Sequence, residues 1–232
     1  MVGDYTSERA NTIRQESLAI EIAYLIKRYS PIAMIGLDVG AQDGRLTKKI
    51  SDYTGLDFYG VEPEIEDNHS PYNEITILKG YSYDIPFPDN TFDIITVISV
   101  IEHIKPDLIE QSMREFNRVL KENGIIVIQM PNMLFPIEPH SILPFQQFLP
   151  KKIGKKYLQL FSVNKNYDGH WFINTPTTLK NKALTIGLDI VYFDKFVYPS
   201  QVFPPKYRKF SSVLHIFPLD YIMIFKKLIF KK

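Results

Sequence analysis

The sequence has no cysteine. That absence excludes disulfide bonds, thiolate metal ligands and a cysteine nucleophile. The chain also lacks any apolar run that approaches the roughly 18–20 residues of a membrane-spanning helix. Its N-terminal stretch, MVGDYTSERANTIRQES, has no apolar signal core. These absences together predict a cytoplasmic protein.

Each part of the chain is short of charge of one sign. Residues 1–132 hold 12 Lys and Arg against 21 Asp and Glu, whereas residues 133–232 hold 15 against 5. Two interpretations stay open. Either the basic C-terminal part is simply solvated, or it faces an anionic partner such as a phosphorylated substrate, a membrane surface or a nucleic acid. Its last stretch, FPLDYIMIFKKLIFKK, mixes apolar and basic residues, so peripheral membrane contact there is one of these alternatives.

The length of 232 residues and the 45% hydrophobic content predict a single domain, 1–232, with a sizeable core. Apolar residues at helical spacing predict an N-terminal helix within residues 1–30. Apolar strands then alternate with amphipathic helices, which predicts a doubly wound, parallel α/β sheet. The predicted strands cover residues 32–39, 57–61, 75–79, 92–99, 125–130, 188–193 and 221–226, and the predicted helices cover residues 6–29, 44–51, 106–121 and 175–187.

Residues 131–174 interrupt this alternation. They contain five prolines, many aromatic residues and two histidines. A connection this long between elements of a sheet is typical of a functional lid or an inserted subdomain. We therefore predict a substrate-side insert after the fifth strand.

The stretch IGLDVGAQDGRLTKKI lacks the middle glycine that a pyrophosphate-binding loop needs. Gln42 stands between Gly40 and Gly44, at the end of the first predicted strand. Glycines there let the backbone approach a ligand, while the carboxylate of Asp38 repels a phosphate and suits an ammonium group. Glu62 ends the second strand, where a carboxylate can accept hydrogen bonds from ribose hydroxyls. The loop is typical of a site for a nucleoside that carries an amino acid.

Four segments, in order and at matching spacing, resemble the class I S-adenosylmethionine (SAM)-dependent methyltransferases. They are LDVGAQDGRL, YGVEPE, PFPDNTFDIITVISVIEHI and FNRVLKENGIIVIQMPN. The chain is most similar to the small-molecule enzymes of ubiquinone and menaquinone biosynthesis, over about residues 30–132 with weaker support from 175–195. The resemblance implies a Rossmann-like, seven-stranded, mostly parallel sheet with an antiparallel last strand, helices on both faces and an aromatic insert after strand five. It also implies SAM as the cofactor and S-adenosylhomocysteine as its product.

The same resemblance assigns positions to the cofactor. The loop after the first strand corresponds to the methionine-binding loop, and the end of the second strand corresponds to the ribose ligand. Where the family commonly has Gly-Asp-Ala after the third strand, this chain has Gly80, Tyr81 and Ser82, so either Tyr81 stacks on the adenine or Asp84 reaches it. The implied cofactor-binding residues are Asp38, Gly40, Ala41, Gln42, Gly44, Glu62, Pro63, Tyr81, Ser82, Asp84, Ser99 and Val100.

Histidines are the candidate catalytic groups. Methyl transfer to a hydroxyl benefits from a general base, most often a histidine. We predict His140 in this role because it follows the fifth strand, over the open end of the sheet, with His103 as the second catalytic candidate and His170 as a weaker one. Some quinone-type relatives carry a Glu-x-x-Glu-His metal motif that would end at His103. Ser99 replaces its first glutamate, so no metal is predicted.

The acceptor is predicted only as a class. An aromatic insert followed by lysines suits a small-molecule, glycan or lipid-linked acceptor, methylated on oxygen. No nucleic-acid partner is expected, since no Asn/Asp-Pro-Pro-Tyr/Phe motif follows the fourth strand. Two alternatives stay open: a SAM-binding scaffold protein without turnover, and an NAD(P)-dependent dehydrogenase. Gln42, Asp38 and the lack of a Tyr-x-x-x-Lys pair weigh against the dehydrogenase.

Overall fold

The computed structural model describes residues 8–65, 74–136, 143–161, 172–199, 202 and 218–227. Seven strands form one sheet in the order β3-β2-β1-β4-β5-β7-β6. Every neighbouring pair from β3 to β5 is parallel, whereas β7 runs antiparallel to both β5 and β6. The strands are β1 Ile35–Val39, β2 Asp57–Glu62, β3 Thr76–Lys79, β4 Phe92–Ile98, β5 Leu120–Pro131, β6 Leu188–Phe196 and β7 Asp220–Lys227. The predicted seven-stranded sheet with an antiparallel last strand is confirmed.

Helices cover both faces of this sheet. They are α1 Glu8–Tyr29, α2 Arg45–Thr54, α3 Ile109–Val119 and α5 Pro176–Leu184. A further helix, α4 Lys151–Phe161, packs against the short turn Gln146–Phe148 that precedes it. One apolar cluster joins α3 and α5 to the sheet, and a second joins α1 and α2 to its other face. Alternate residues of β5 enter different clusters, with Ile126 and Ile128 in the first and Ile125 and Val127 in the second. This alternation follows from the two-residue period of a strand.

Several boundaries differ from the predicted ones, and at two of them the structure shows the cause. The helix predicted over 106–121 ends at Val119, and the strand predicted to begin at residue 125 begins at Leu120. Gly124 lies inside β5, and only glycine fits at that position, because a Cβ would come within 2.8 Å of the carbonyl oxygen of Asp93. The first strand starts at Ile35 rather than at residue 32. The backbone N–H groups of Met34 and Ile35 donate to the carboxylate of Asp93.

The start of α5 follows a recognisable end signal. Thr175 caps α5 by accepting a hydrogen bond from the backbone N–H of Thr178, and Pro176 occupies the first turn. None of the helices within the described ranges is long and apolar enough to cross a membrane.

A guanidinium on α3 fixes the connection between β3 and β4. Arg118 donates to the carbonyl oxygens of Phe87 and Ile85, at 2.8 and 3.0 Å, and to the carboxylate of Asp89 at 2.8 Å. Glu115 bonds to the same guanidinium and accepts the backbone N–H of Ile85. The hydrogen bond from Arg118 lowers the pKa of Glu115. This network sets the course of residues 84–90, which follow Tyr81 and Ser82.

We expect Arg118→Gln to lower the free energy of unfolding by about 1–3 kcal/mol, because it leaves two backbone carbonyls and two carboxylates short of a donor. Arg114→Gln is the matched control, since among the described residues Arg114 pairs with Glu110 alone, on the exposed side of α3. The control is expected to cost about 0–1 kcal/mol. Chemical denaturation of both variants measures the difference. Equal losses would contradict the role given to Arg118.

Candidate active site

The loop after β1 is shaped by residues in left-handed conformations. Gly40, Gln42 and Gly44 have φ values of 78°, 49° and 81°. A Cβ at Gly40 would lie 2.3 Å from Cγ2 of Val100, so only glycine fits where this loop meets the end of β4. The backbone N–H of Gly40 donates to the carbonyl oxygen of Val61 at 2.8 Å. The ends of three parallel strands therefore meet at this loop, at the carboxyl edge of the sheet.

Glu62 is joined to the same loop. Its carboxylate accepts the backbone N–H of Gln42 at 2.9 Å and that of Glu64 at 3.3 Å. The side chain of Glu62 is half-buried, that of Gln42 is exposed, and Pro63 follows Glu62 in a turn. An ionised carboxylate has about four acceptor positions, so Glu62 keeps capacity for further donors beyond these two. Ala41 is buried beneath the loop, where its N–H also donates to Val61.

Asp38 lies beneath the loop and is only 3% exposed. Its two oxygens accept hydrogen bonds from the hydroxyl of Thr47 on α2, at 2.5 Å, and from that of Thr96 on β4, at 2.7 Å. Burial raises the pKa of Asp38 to about 6, and the nearby charge of Glu62 adds to this, although both threonine bonds oppose it. The sequence suggested that this carboxylate faces a ligand ammonium group. In the structure it joins β1 to α2 and β4.

The segment after β3 lies beside Glu62, since the N–H of Gly80 donates to the Glu62 carbonyl at 3.4 Å. Tyr81 and Asp84 exchange backbone hydrogen bonds and form a tight turn. The ring of Tyr81 is 45% exposed and stacks on that of Tyr83 at 5.1 Å between centroids. Asp84 is exposed as well, so both alternatives for the adenine contact have an accessible side chain.

The turn between these two residues also touches α3. The hydroxyl of Ser82 lies 3.0 Å from that of Ser112. Ser82 is thereby held against the helix, on the inner side of the turn that carries the Tyr81 ring.

The end of β4 carries a strained residue. Ser99 has a φ of 53°, a conformation that a serine adopts at a cost of about 1–3 kcal/mol. Its N–H donates to the Gln129 carbonyl at 3.1 Å, and its hydroxyl donates to the Gln129 side-chain oxygen at 2.9 Å. Gln129 itself is buried in β5. This pair of bonds fixes the direction in which the chain leaves β4 towards Val100.

Of the predicted catalytic histidines, only His103 is described. It ends a short 3-10 turn, Ile101–His103, and its side chain is exposed. The other candidates, His140 and His170, lie outside the described residues. In the part of the chain that is described, no three carboxylate or imidazole groups converge as a metal ion would require.

Four residues that sequence reasoning missed shape this edge of the sheet. Thr47, Thr96 and Gln129 bond to predicted site residues, and Asn174 donates its side-chain amide to the carbonyl oxygens of Ile101 and Ile104, at 2.7 and 3.0 Å. A signal for two of them was present. Thr96 and Gln129 are isolated polar residues in the apolar runs FDIITVIS and IIVIQM.

Residues 37–128 match the protein family described as "Methyltransferase domain". Together with the sheet topology and the loop after β1, this match identifies the region as a methyltransferase domain of the class I, SAM-dependent type. The family resemblance inferred from the four sequence segments is therefore confirmed.

Particular relatives cover only part of the chain. Demethylmenaquinone methyltransferase from Lysinibacillus sphaericus is 35% identical over 74 residues, which are 32% of this chain and 31% of that protein. The protein of the same name from Bacillus licheniformis is 30% identical over 142 residues, 56% of this chain and 60% of its own length. The chain thus spans between about a third and three fifths of the length of these relatives.

Solved structures share the fold over most of the chain. The PH0226 protein from Pyrococcus horikoshii OT3 aligns with a TM-score of 0.63 at 16% identity, covering 97% of this chain and 94% of that one. A SAM-dependent methyltransferase from Archaeoglobus fulgidus aligns with a TM-score of 0.55 at 18% identity, covering 90% and 94%. At these identities the likeness concerns the fold.

The buried carboxyl of Asp38 predicts a particular pH dependence. Its pKa in the folded chain, about 6, lies above the ordinary value of 3.8, so the folded state binds this proton more tightly than the unfolded chain does. The contribution of Asp38 to the free energy of unfolding of the wild type therefore falls as the pH rises from about 4 to about 6. Asp38→Asn removes the charge, so the variant should gain free energy of unfolding relative to wild type across this range, by at most about 3 kcal/mol.

Denaturant titrations at several pH values measure this gain. The control is Asp43→Asn in the same loop. Partial burial raises the pKa of Asp43, but hydrogen bonds from Arg45 outweigh it and hold that pKa below the ordinary value of 3.8. The stability that Asp43 contributes is therefore lost only as the pH falls below about 4, so the difference between Asp43→Asn and wild type should stay flat from about pH 4 to about pH 6. A difference between Asp38→Asn and wild type that is independent of pH would show that Asp38 keeps an ordinary pKa.

Proposed function

We propose that the chain is a SAM-dependent methyltransferase that transfers a methyl group to a hydroxyl of a small-molecule, glycan or lipid-linked acceptor. The observation that carries this proposal is the meeting of three strand ends: Gly40 packs against Val100, and the N–H of Gln42 bonds to Glu62. This arrangement offers a backbone cradle, a carboxylate and an apolar wall at one point of the carboxyl edge, where ligands of such sheets bind.

The chemistry of the residues at this site agrees with SAM as the ligand. Glu62 retains acceptor capacity for ribose hydroxyls, and the exposed ring of Tyr81 provides a flat apolar surface for a base. Asp38 lies directly below the loop, so when ionised it places negative charge under the ligand, which favours a cationic one. A dinucleotide fits less well, because the exposed Gln42 side chain stands where a pyrophosphate needs glycine.

Bound SAM would supply an electrophilic methyl group on a positively charged sulfur. The chain's own part is to hold the acceptor hydroxyl in line and to take its proton, as the bond from oxygen to the methyl carbon forms and the bond from that carbon to sulfur breaks. We assign to His140 the role of the general base that accepts the hydroxyl proton, with His103 as the alternative base. Ser99 and Val100 form the wall of the cleft at the end of β4.

The acceptor is proposed as an apolar or lipid-linked molecule. The curated relatives carry demethylmenaquinone in their names. In this chain, Leu134, Phe145 and Phe148 expose large apolar side chains on the insert that follows β5. Such side chains suit an acceptor that buries hydrocarbon or a ring.

A second candidate is a SAM-binding protein without turnover. Tyr81 stands where the family commonly has aspartate, so a contact to the adenine amino group has been replaced or lost. The two candidates differ in one measurement, the release of S-adenosylhomocysteine when purified protein meets a panel of quinone, phenolic and glycan acceptors. SAM affinity without release on any acceptor would favour the second.

We expect Glu62→Gln to weaken SAM binding by about tenfold to a hundredfold, because a charged acceptor of hydrogen bonds becomes a neutral one. Glu64→Gln is the matched control. It makes the same chemical change two residues away on an exposed side chain, and should leave affinity within about twofold. Calorimetric titration measures both, and thermal unfolding of the free proteins separates binding from folding. Equal affinities for Glu62→Gln and wild type would refute the ribose role.

We expect His140→Ala to lower kcat by about a hundredfold to ten-thousandfold with SAM affinity unchanged, because it removes the proposed general base. His103→Ala is the comparison, since His103 is exposed on its turn and the two candidates cannot both be the main base. Turnover with an accepted substrate, measured across pH, decides between them. Full turnover in His140→Ala with a loss in His103→Ala would transfer the role to His103.

A further inference from the structure

Helix α4 is basic and carries no acidic residue. Its sequence, KKIGKKYLQLF, contains four lysines. It packs inwards through a narrow face, where Gly154 and Leu158 are buried. Gly154 lies against Gln146 and Leu149 of the preceding turn, so this face accounts for the helix's attachment to the protein.

A second apolar face of α4 points outwards. Ile153, Leu160 and Phe161 are 57%, 71% and 63% exposed, and the half-buried ring of Tyr157 contacts that of Phe161 at 5.4 Å between centroids. Positions 153, 157, 160 and 161 follow the three- and four-residue spacing of one helical stripe. We call these four residues the outer face of α4. None of these four residues belongs to either apolar core cluster.

Lysines border this outer face. Lys152 and Lys156 are exposed and one helical turn apart, on the side of the stripe away from the buried face. An apolar stripe flanked by cations is the pattern of a helix that lies in the interface of an anionic bilayer. A solvated surface helix has no need of three exposed large apolar side chains in a single stripe.

The position of α4 relates this surface to the cleft. The preceding segment is tied to the chain just after β5, where the N–H of Phe145 donates to the Pro136 carbonyl at 2.6 Å. Exposed Leu134 and Phe148 lie in these same two segments. The surface is therefore attached to the carboxyl edge of the sheet, the edge that carries the loop after β1.

We propose that the outer face of α4 binds the surface of an anionic lipid bilayer, with its apolar side chains inserted among the acyl chains and Lys152 and Lys156 at the headgroups. The lysines select this occupant, because a purely apolar protein partner would not require cations along the border of the stripe. This inference does not depend on methyl transfer, and its test needs no substrate.

The test is flotation of the full chain with vesicles of phosphatidylcholine alone and of equal parts phosphatidylcholine and phosphatidylglycerol. The protein should bind the anionic vesicles and release them at high salt. Leu160→Ser with Phe161→Ser should weaken binding by at least about tenfold, because the inserted apolar surface is lost. Lys152→Gln with Lys156→Gln should weaken it by roughly thirtyfold, from about 1 kcal/mol for each lysine.

Matched controls change the same residue types elsewhere on the surface. Ile20→Ser with Tyr24→Ser removes two exposed apolar side chains from α1, and Lys27→Gln with Lys180→Gln removes two exposed lysines. Both should bind vesicles like wild type. Calorimetric titration of SAM confirms that each variant is folded, and this readout would fail separately if the proposed cofactor were wrong.

Several outcomes would overturn the proposal. They are no binding to either vesicle, equal binding to both kinds, and binding that survives in both α4 variants, which would place the contact elsewhere on the chain. A self-association that the Leu160 and Phe161 substitutions abolish, in the absence of vesicle binding, would assign the outer face of α4 to a second copy of the chain.

Discussion

The hydrogen bonds of one buried carboxylate join three elements at the carboxyl edge of the sheet. Asp38 accepts hydrogen bonds from the hydroxyls of Thr47 and Thr96. It therefore connects the end of β1 to the start of α2 and to the middle of β4. A carboxylate removed from water is costly unless it is paired or protonated, and here burial outweighs both hydroxyl bonds and raises its pKa to about 6. These bonds fix α2 and β4 against β1, while the loop between β1 and α2 is itself held by hydrogen bonds to Val61 and Glu62.

Left-handed backbone conformations recur at the same edge. Gly40, Gln42, Gly44 and Ser99 all adopt left-handed backbone conformations, and two of them are not glycine. Gln42 is compensated by its bond to Glu62, and Ser99 by its two bonds to Gln129. Strained residues that are fixed by neighbours in this way are typical of preorganised binding sites. The chain therefore turns sharply after β1 and after β4, and each of the two strained residues is held by a hydrogen bond to a neighbouring strand.

Much of the fold followed from the sequence, because periodicity and end signals are local. The runs at residues 92–99 and 125–130 predicted buried strands, and Thr175 with Pro176 predicted the start of α5. The boundary between α3 and β5 did not follow, because Leu120 continues the apolar spacing of the helix yet pairs with Phe92 in the sheet. A pairing partner 28 residues away is not a local signal. The same distinction applies to the candidate site. Motif spacing predicted the positions of the loop and of Glu62. The hydrogen bonds of Asp38 and Gln129 could not be predicted, because they depend on which strands lie side by side.

Two buried asparagines stand at the ends of the insert. Asn132 bonds to the Leu219 and Pro218 carbonyls beside β7, and Asn174 bonds to the turn after β4. Entry to and exit from the insert are therefore fixed to the core through main-chain carbonyls, which every sequence possesses. Residues between these anchors can diverge without altering either attachment. Segments of different sequence can accordingly be joined to the same sheet, which makes Asn132 and Asn174 the natural junctions for chimaeras that exchange the insert.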